Sequence, residues 1–388
     1  MAAQRSGHGL QELQPGRWKV TVNIPSSSNP DGKRHRKVAY VNGGKRDAER
    51  KRRQMLAQRD DGQLKPRITD TLREFLEAWM KGKTRGSNKV ASRTAERWQT
   101  LINKQVTPHI GDLPLRDVTP ATLRNLYDDL HEEGYSGTTV HKVYSLLRMA
   151  FMQGIEDGTV RLNPCRRKDA PKKDTPEAKS LSETQAAALL EGLSGTSIFV
   201  PVLLALDCGL RRGELLGLKW SDVDLTAGWL TIRRAVEESG AGVALKETKT
   251  GKSRSILMTK RAAAALRQHK KTQASYRLAL SGRWVDEDLV FPATKPHRGK
   301  VAGRIWRPSS FSRTYRESTH AVGYDIGVHT LRHTMATIML RAGRPTREVA
   351  DRLGHSSTKL TSDTYQHVLR DQQEDGVAAF DKMFARIR

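Results

Sequence analysis

The sequence predicts a multidomain protein, mainly α with small β-sheets. It divides into a small N-terminal β-sheet with a helix, an all-α bundle, and a larger C-terminal α+β part. Three observations predict this. At 388 residues the chain is longer than one hydrophobic core ordinarily organises. Its apolar pattern changes from a period of two to helical spacing near residue 68, and becomes mixed after residue 180. Between the last two regions, residues 166–180 read RRKDAPKKDTPEAKS, charged, twice interrupted by proline and without apolar periodicity, as a linker would be.

The first region, residues 1–64, opens with Trp18, Val20, Val22 and Ile24 alternating onto one face, the pattern of a half-buried strand. Turn residues Asn29, Pro30, Asp31 and Gly32 follow, so residues 33–41 can return as a second strand, with a helix after it. Residues 33–59 hold eleven Lys or Arg against two acids, Asp47 and Glu49, too one-sided for a balanced salt-bridged surface. Lys33, Arg34, Arg36, Lys37, Lys45 and Arg46 are therefore candidate contacts to nucleic acid, against the plainer reading of a solvated basic face.

Residues 68–165 read as helices throughout. Leu72, Phe75, Leu76 and Trp79 form one apolar stripe, and Trp98, Leu101, Ile102 and Val106 another. Thr119 before Pro120 is an N-cap with a first-turn proline. Val143, Leu146, Leu147 and Ala150 face inward from a further helix over residues 140–157. Because the tryptophans fall on these stripes, they read as core and not as base-stacking platforms.

In the third region, residues 181–388, Leu181-Ser182-Glu183 marks a helix start, and residues 228–232, 254–257 and 289–291 are candidate strands. The longest apolar run, residues 198–206, is broken by Pro201 and closed by Asp207. It falls short of the roughly 20 residues a membrane span needs and reads as a buried helix. The N-terminus lacks the apolar stretch of a secretory signal, and two cysteines, Cys165 and Cys208, support neither a disulfide framework nor a cysteine-based zinc site. A reducing cytoplasm is the expected compartment. With 68 Lys plus Arg against 42 Asp plus Glu, the net charge is +26, which favours a polyanion partner, nucleic acid before acidic membrane.

Three stretches carry groups suited to chemistry. In Gly209-Leu210-Arg211-Arg212-Gly213-Glu214, one helix ends near Gly209 and another begins near Arg212. Arg211 thus sits at a helix N-terminus, where the macrodipole disfavours a cation unless an anion shares the site. In Val328-His329-Thr330-Leu331-Arg332-His333, His329 and Arg332 lie three apart on a stripe beside the buried Leu331, Met335 and Ile338. His329 and His333 are also four apart, but no HExxH glutamate and no third ligand accompany them, so no metal is expected. Gly354 ends a helix whose inner face is Val349, Ala350 and Leu353, and His355 follows at once. Ten residues of unbroken helix would separate His355 from Tyr365 by about 15 Å. A bend with a new helix start is therefore expected near Thr361-Ser362-Asp363, whose short polar side chains suit a cap. Finally, Val377, Phe380, Met383, Phe384 and Ile387 make an amphipathic tail that seeks a partner surface.

Metal-free cleavage of a phosphodiester needs a nucleophile, fixed cations for the developing charge, and an acid for the leaving 5′ oxygen. A phenol, with an ordinary pKa near 10, needs a cationic pocket to act as that nucleophile. The stretches GLRRGELLGLKWSDVDL, HTLRHT, LGHSS and DTYQH resemble, in order and spacing, the tyrosine recombinase family, in particular phage-type integrases. The resemblance covers residues 181–388 as a catalytic domain. Residues 1–64 and 68–165 are similar to the family's arm-binding and core-binding domains.

The resemblance implies that Arg211, His329, Arg332 and His355 hold the scissile phosphate, with Glu214 supporting them, and that Tyr365 attacks it to form a 3′-phosphotyrosyl bond. No nucleotide cofactor or metal is implied. The family's general-acid lysine lies in a β-hairpin. Lys249 fits that place, since Lys-Thr-Gly can form the turn, while Lys246 and Lys252 remain open. Thr330 departs from the more usual aspartate of this motif. The implied activity is site-specific integration of a mobile DNA element, with excision left open. Implied partners are double-stranded attachment sites and a homotetramer on DNA, linked by the C-terminal tail, with room for host DNA-bending and directionality factors. A type IB topoisomerase-like nicking-closing enzyme, a catalytically silent DNA-binding regulator on the same fold, and a metal-dependent nuclease are the alternatives.

Overall fold

The structure is a computed structural model that describes residues 5–6, 9–24, 35–60, 71–85, 89–174, 179–247, 253–294, 301–366, 368, 377, 381 and 383–385. The chain divides into two compact units, Met1–Asp174 and Thr175–Arg388.

The first unit opens with an antiparallel sheet in the order β1 (Arg5–Ser6), β2 (Leu10–Gln14), β3 (Arg17–Ile24) and β4 (His35–Asn42). The two strands read from the sequence are β3 and β4, in continuous register from Arg17 opposite Asn42 to Ile24 opposite His35. Val20 and Val22 are buried from β3, where Ala48 and Met55 of α1 (Lys45–Asp60) pack over them with Leu10. The short strands escaped the sequence reading because β1 has two residues and only Leu10 of β2 is buried. Lys37, Lys45 and Arg46 are exposed. Arg36 lies in β4 opposite Asn23, while Lys33 and Arg34 lie outside the described residues.

The bundle follows as α2 (Leu72–Thr84), α3 (Ser92–Leu101), α4 (Thr107–Ile110), α5 (Pro120–Glu132) and α6 (Gly137–Glu156). A π-helical turn, Ile102–Val106, joins α3 to α4 without a break. Thr71 and Glu74 cap α2 reciprocally, and Thr119 and Thr122 do the same for α5, with Pro120 in its first turn. Both predicted stripes form the core. Leu72, Leu76, Val106, Leu126 and Leu147 are fully buried, each contributing roughly 1.5–3 kcal/mol of transfer free energy. Trp79 and Trp98 stack on each other at 5.1 Å inside this core, which is why they are unsuited to stacking on bases.

The second unit contains α7 (Glu183–Gly192), α8 (Phe199–Cys208), α9 (Arg212–Leu216), β5 (Val223–Asp224), β6 (Trp229–Ile232), β7 (Arg234–Ser239), β8 (Gly242–Glu247), β9 (Arg254–Leu257), α10 (Lys260–Leu280), α11 (Pro308–Ala321), α12 (Val328–Arg341), α13 (Thr346–Leu353) and α14 (Thr358–Thr364). Ser182 caps α7 reciprocally with Gln185. α8 is the buried apolar run, and α12 packs along it. Among the described residues no helix is long and apolar enough to cross a membrane.

Two expectations need correction. Residues 289–291 do not form a strand: Leu289 makes a single bridge to Lys219, and the next bridge, Pro292 with Ile305, goes to a different partner. β7 and β8 form a hairpin while β9 pairs with β6; Lys249, Thr250 and Gly251, read as a turn, lie outside the described residues. The bend before Tyr365 comes earlier than expected. Gly354 adopts the left-handed conformation (φ 65°) at the end of α13, and the Ser357 side chain accepts from the Lys359 N–H to start α14. Thr361, Ser362 and Asp363 therefore lie inside that helix and do not cap it.

Candidate active site

Two chain breaks, at Gly209 and Gly354, frame the site. At the first, Gly209 ends α8 in the left-handed conformation (φ 62°), and Arg211 becomes the N-cap of α9. Glycine takes this left-handed turn without strain, and an added Cβ would also displace the Met335 methyl, 2.1 Å away. Arg211 sends Nη1 to Glu214 Oε1 at 2.8 Å and Nη2 to the Gly354 carbonyl at 3.5 Å, and its own backbone N–H donates to Glu214 Oε2. Its side chain remains 43 % exposed.

Glu214 is 4 % exposed and serves two arginines. Arg254, at the start of β9, donates through Nη1 and Nη2 to the two carboxylate oxygens at 3.1 and 2.7 Å, and through Nε to the Arg352 carbonyl. Burial alone would push the Glu214 carboxyl up. The hydrogen bonds and charges of Arg254 and Arg211 outweigh it and hold the pKa at about 2. Arg254 therefore fastens β9, α9 and the end of α13 to one buried anion.

Arg332, one turn into α12, is 2 % exposed. Its Nη1 donates to the Gly209 carbonyl and its Nη2 to the Leu353 carbonyl, each at 2.6 Å. These carbonyls stand at the C-terminal ends of α8 and α13, where the backbone lacks partners and the helix dipoles are negative. Two helix ends thus compensate a buried cation. Burial and the charge of Arg211 pull its pKa down to about 9, against the opposite pull of Glu214, so the group keeps its charge at neutral pH.

His355 follows Gly354, and its Nδ1 lies 2.7 Å from the Thr361 hydroxyl. Burial, then Arg332, Arg211, Arg254 and His329, lower its pKa to about 4. His329, in the first turn of α12, is also lowered by burial and by Arg332 and Arg211. Tyr365 closes α14. Its ring packs with Met335, Leu340, Val349, Leu353 and Val368, and the residue is 1 % exposed. The phenolic oxygen is nonetheless turned to a polar partner, lying 2.8 Å from His333 Nδ1. Burial raises the phenol pKa to about 12, partly opposed by Arg332.

Arg211, His329, Arg332, His355 and Tyr365 are thus brought to one corner of the second unit, where α9, α12 and α13 end or begin. Lys249 and Lys252 lie outside the described residues. Lys246, on β8, is paired with Glu237 across the hairpin. Among the described residues no cluster of three or more His, Cys, Asp or Glu side chains is arranged to hold a metal, and His329 and His333 meet edge to face at 4.8 Å between ring centroids. The sequence reading weighed His333 only as a metal ligand and Thr361 only as a cap, and it marked Arg254 only as the start of a strand. Their partners are 32, 6 and 40 residues away, and no local periodicity points to such contacts. In the tail, Val377, Met383 and Phe384 are exposed, while Phe380 and Ile387 lie outside the described residues.

The chain is similar to known proteins in both sequence and fold. Residues 179–372 match the model of the phage integrase family, and residues 71–131 match that of the phage integrase N-terminal SAM-like domain. A tyrosine recombinase XerC-like protein of Caldanaerobacter subterraneus subsp. tengcongensis is 26 % identical, over 95 % of this chain and 96 % of that protein. The fold is shared with the Tn1549 transposon integrase in complex with a circular intermediate DNA (TM-score 0.64, 19 % identity, 79 % of this chain and 99 % of that one). It is also shared with a lambda integrase tetramer bound to a Holliday junction (TM-score 0.58, 18 % identity, 93 % of this chain and 96 % of that one).

Proposed function

The chain belongs to the phage integrase family of tyrosine recombinases, enzymes that cut and rejoin DNA, and from that premise we propose that Tyr365 is its nucleophile and that Arg211, His329, Arg332 and His355 bind the scissile phosphate. One observation carries the assignment. Arg332 and Arg211, from different elements, bond the successive carbonyls of Leu353 and Gly354, immediately before His355. Two cations and an imidazole are thereby gathered on one short turn, suited to the oxygens of a single phosphate.

In this reading the phenol passes its proton to His333 Nδ1, 2.8 Å away, and its oxygen forms a bond to phosphorus as the bond to the 5′ oxygen breaks. The 5′ oxygen takes a proton from a lysine, with Lys249 the favoured position and Lys246 and Lys252 the alternatives. The 3′-phosphotyrosyl linkage keeps the bond energy, so a 5′ hydroxyl of the partner duplex reverses the step without a cofactor. Because Tyr365 is 1 % exposed, cleavage requires the phenol to be uncovered as DNA enters.

The division of labour follows the same reading: residues 1–64 bind arm sites, 68–165 bind the core site, 166–180 link the units and 181–388 catalyse. The exposed Lys37, Lys45 and Arg46 supply backbone contacts, together with Lys33, Arg34 and Arg36. Synapsis takes a homotetramer on double-stranded attachment sites, joined through the C-terminal tail, with host bending and directionality factors as accessories in a bacterial cytoplasm. The lambda integrase tetramer on a Holliday junction supports that stoichiometry by analogy.

The test is a nicked suicide duplex carrying the core site found in DNA flanking the gene. A covalent protein–DNA adduct is expected, and Tyr365→Phe abolishes it while binding persists. An adduct that survives the substitution refutes the assignment.

A further inference from the structure

We propose that Thr361 is a positioning residue: its hydroxyl donates to His355 Nδ1, which keeps the His355 proton on Nε2, the nitrogen left to donate to a phosphate oxygen. The inference rests on the reading of His355 as a phosphate ligand and adds what selects the working tautomer.

Hydrogen-bond accounting carries it. Thr361 is fully buried inside α14, and among the described residues the one recorded partner of its hydroxyl is His355 Nδ1, at 2.7 Å. A hydroxyl has one hydrogen to give and two lone pairs to offer. If Nδ1–H donated to Thr361, the buried hydroxyl hydrogen would have no acceptor among the described residues, a state that structures avoid. If Thr361 donates instead, both groups are satisfied and the neutral imidazole must carry its hydrogen on Nε2. The lowered His355 pKa, about 4, is consistent with a neutral ring at pH 7 in the DNA-free protein.

The same residue reaches the nucleophile. The Thr361 carbonyl accepts the Tyr365 backbone N–H at 3.0 Å, so one threonine holds the imidazole by its side chain and the end of the tyrosine-bearing helix by its main chain. A change in the position of α14 is therefore felt at His355. Serine at residue 361 would keep the hydroxyl, and valine would keep the shape without it.

The experiment has two arms on the full chain. With histidine nitrogens labelled, two-bond proton–nitrogen spectra of the wild-type protein at pH 7, assigned by loss of the signal in His355→Asn, are expected to show His355 as the Nε2–H tautomer. An Nδ1–H tautomer overturns the proposal without requiring any Thr361 variant to fold. In the second arm, Thr361→Val is expected to slow adduct formation on the nicked duplex roughly tenfold to a hundredfold with DNA affinity unchanged, and Thr361→Ser to restore it. A valine variant as fast as wild type also overturns it. Failure of the broader reading is separable, since the wild-type protein would then form no Tyr365-dependent adduct at all.

Discussion

Glu214→Gln tests the buried anion on which the arginines depend. The carboxyl is 4 % exposed and its pKa falls from the ordinary 4.5 to about 2, which corresponds to roughly 3 kcal/mol of folding free energy. The sign follows from a depressed acid. The contribution is fully present above pH 4.5 and is lost as pH falls toward 2. Glutamine keeps the shape but not the charge, so the variant lacks this dependence while sharing every other titration with wild type. Urea unfolding, followed by hydrogen exchange in peptides from residues 199–257, isolates the unit that contains the site. The stability gap between wild type and Glu214→Gln is expected to narrow by roughly 2 kcal/mol between pH 6 and pH 3. A gap that does not change with pH would mean that Arg254 and Arg211 do not hold an ionised carboxylate, and the account of how Arg211 is positioned would fail with it.

A second pH window lies above that one. His333 and His355 are held neutral, each with a pKa of about 4, so protonating them opposes folding and stability falls as pH drops from 6.5 toward 4. The His333→Asn/His355→Asn double variant is expected to flatten this stretch of the stability–pH curve, and an unaltered slope counts against buried neutral rings. Away from the site, Ser182→Ala removes a reciprocal cap of α7 and is expected to cost about 1 kcal/mol in urea unfolding, without changing the rate of adduct formation. A loss of adduct with unchanged stability would show that the start of α7 does something other than hold the fold.

What could be read in advance was what chain-local physics controls. The breaks at Gly209 and Gly354 were legible because glycine takes left-handed backbone without strain, and the inward faces of α2, α6 and α13 because helical spacing reports them. The β7–β8 hairpin was not legible: only Val236 among its residues is buried, so no alternation stands out. The early start of α14 was missed for a related reason. Ser357 and Thr361 are both acceptable caps in isolation, and the choice is made by Thr361 turning its hydroxyl to His355.

That choice illustrates how the site is assembled. Arg332 is a buried cation that no carboxylate among the described residues bonds directly, and two carbonyls at helix ends hold it instead. Those carbonyls are available because α8 and α13 stop at glycines. At Gly354 an added Cβ would stand 2.7 Å from Arg254 Nη1, so the same glycine also admits the arginine that grips Glu214. Had a carboxylate been placed on Arg332, it would compete with an incoming phosphate. Neutral carbonyls orient the guanidinium without pairing it to a carboxylate, which in the proposed reading leaves the donors not used by the two carbonyls for the phosphate. The carboxylate is kept one step back, on Arg211 and Arg254, where it sets geometry while Arg211 stays partly exposed.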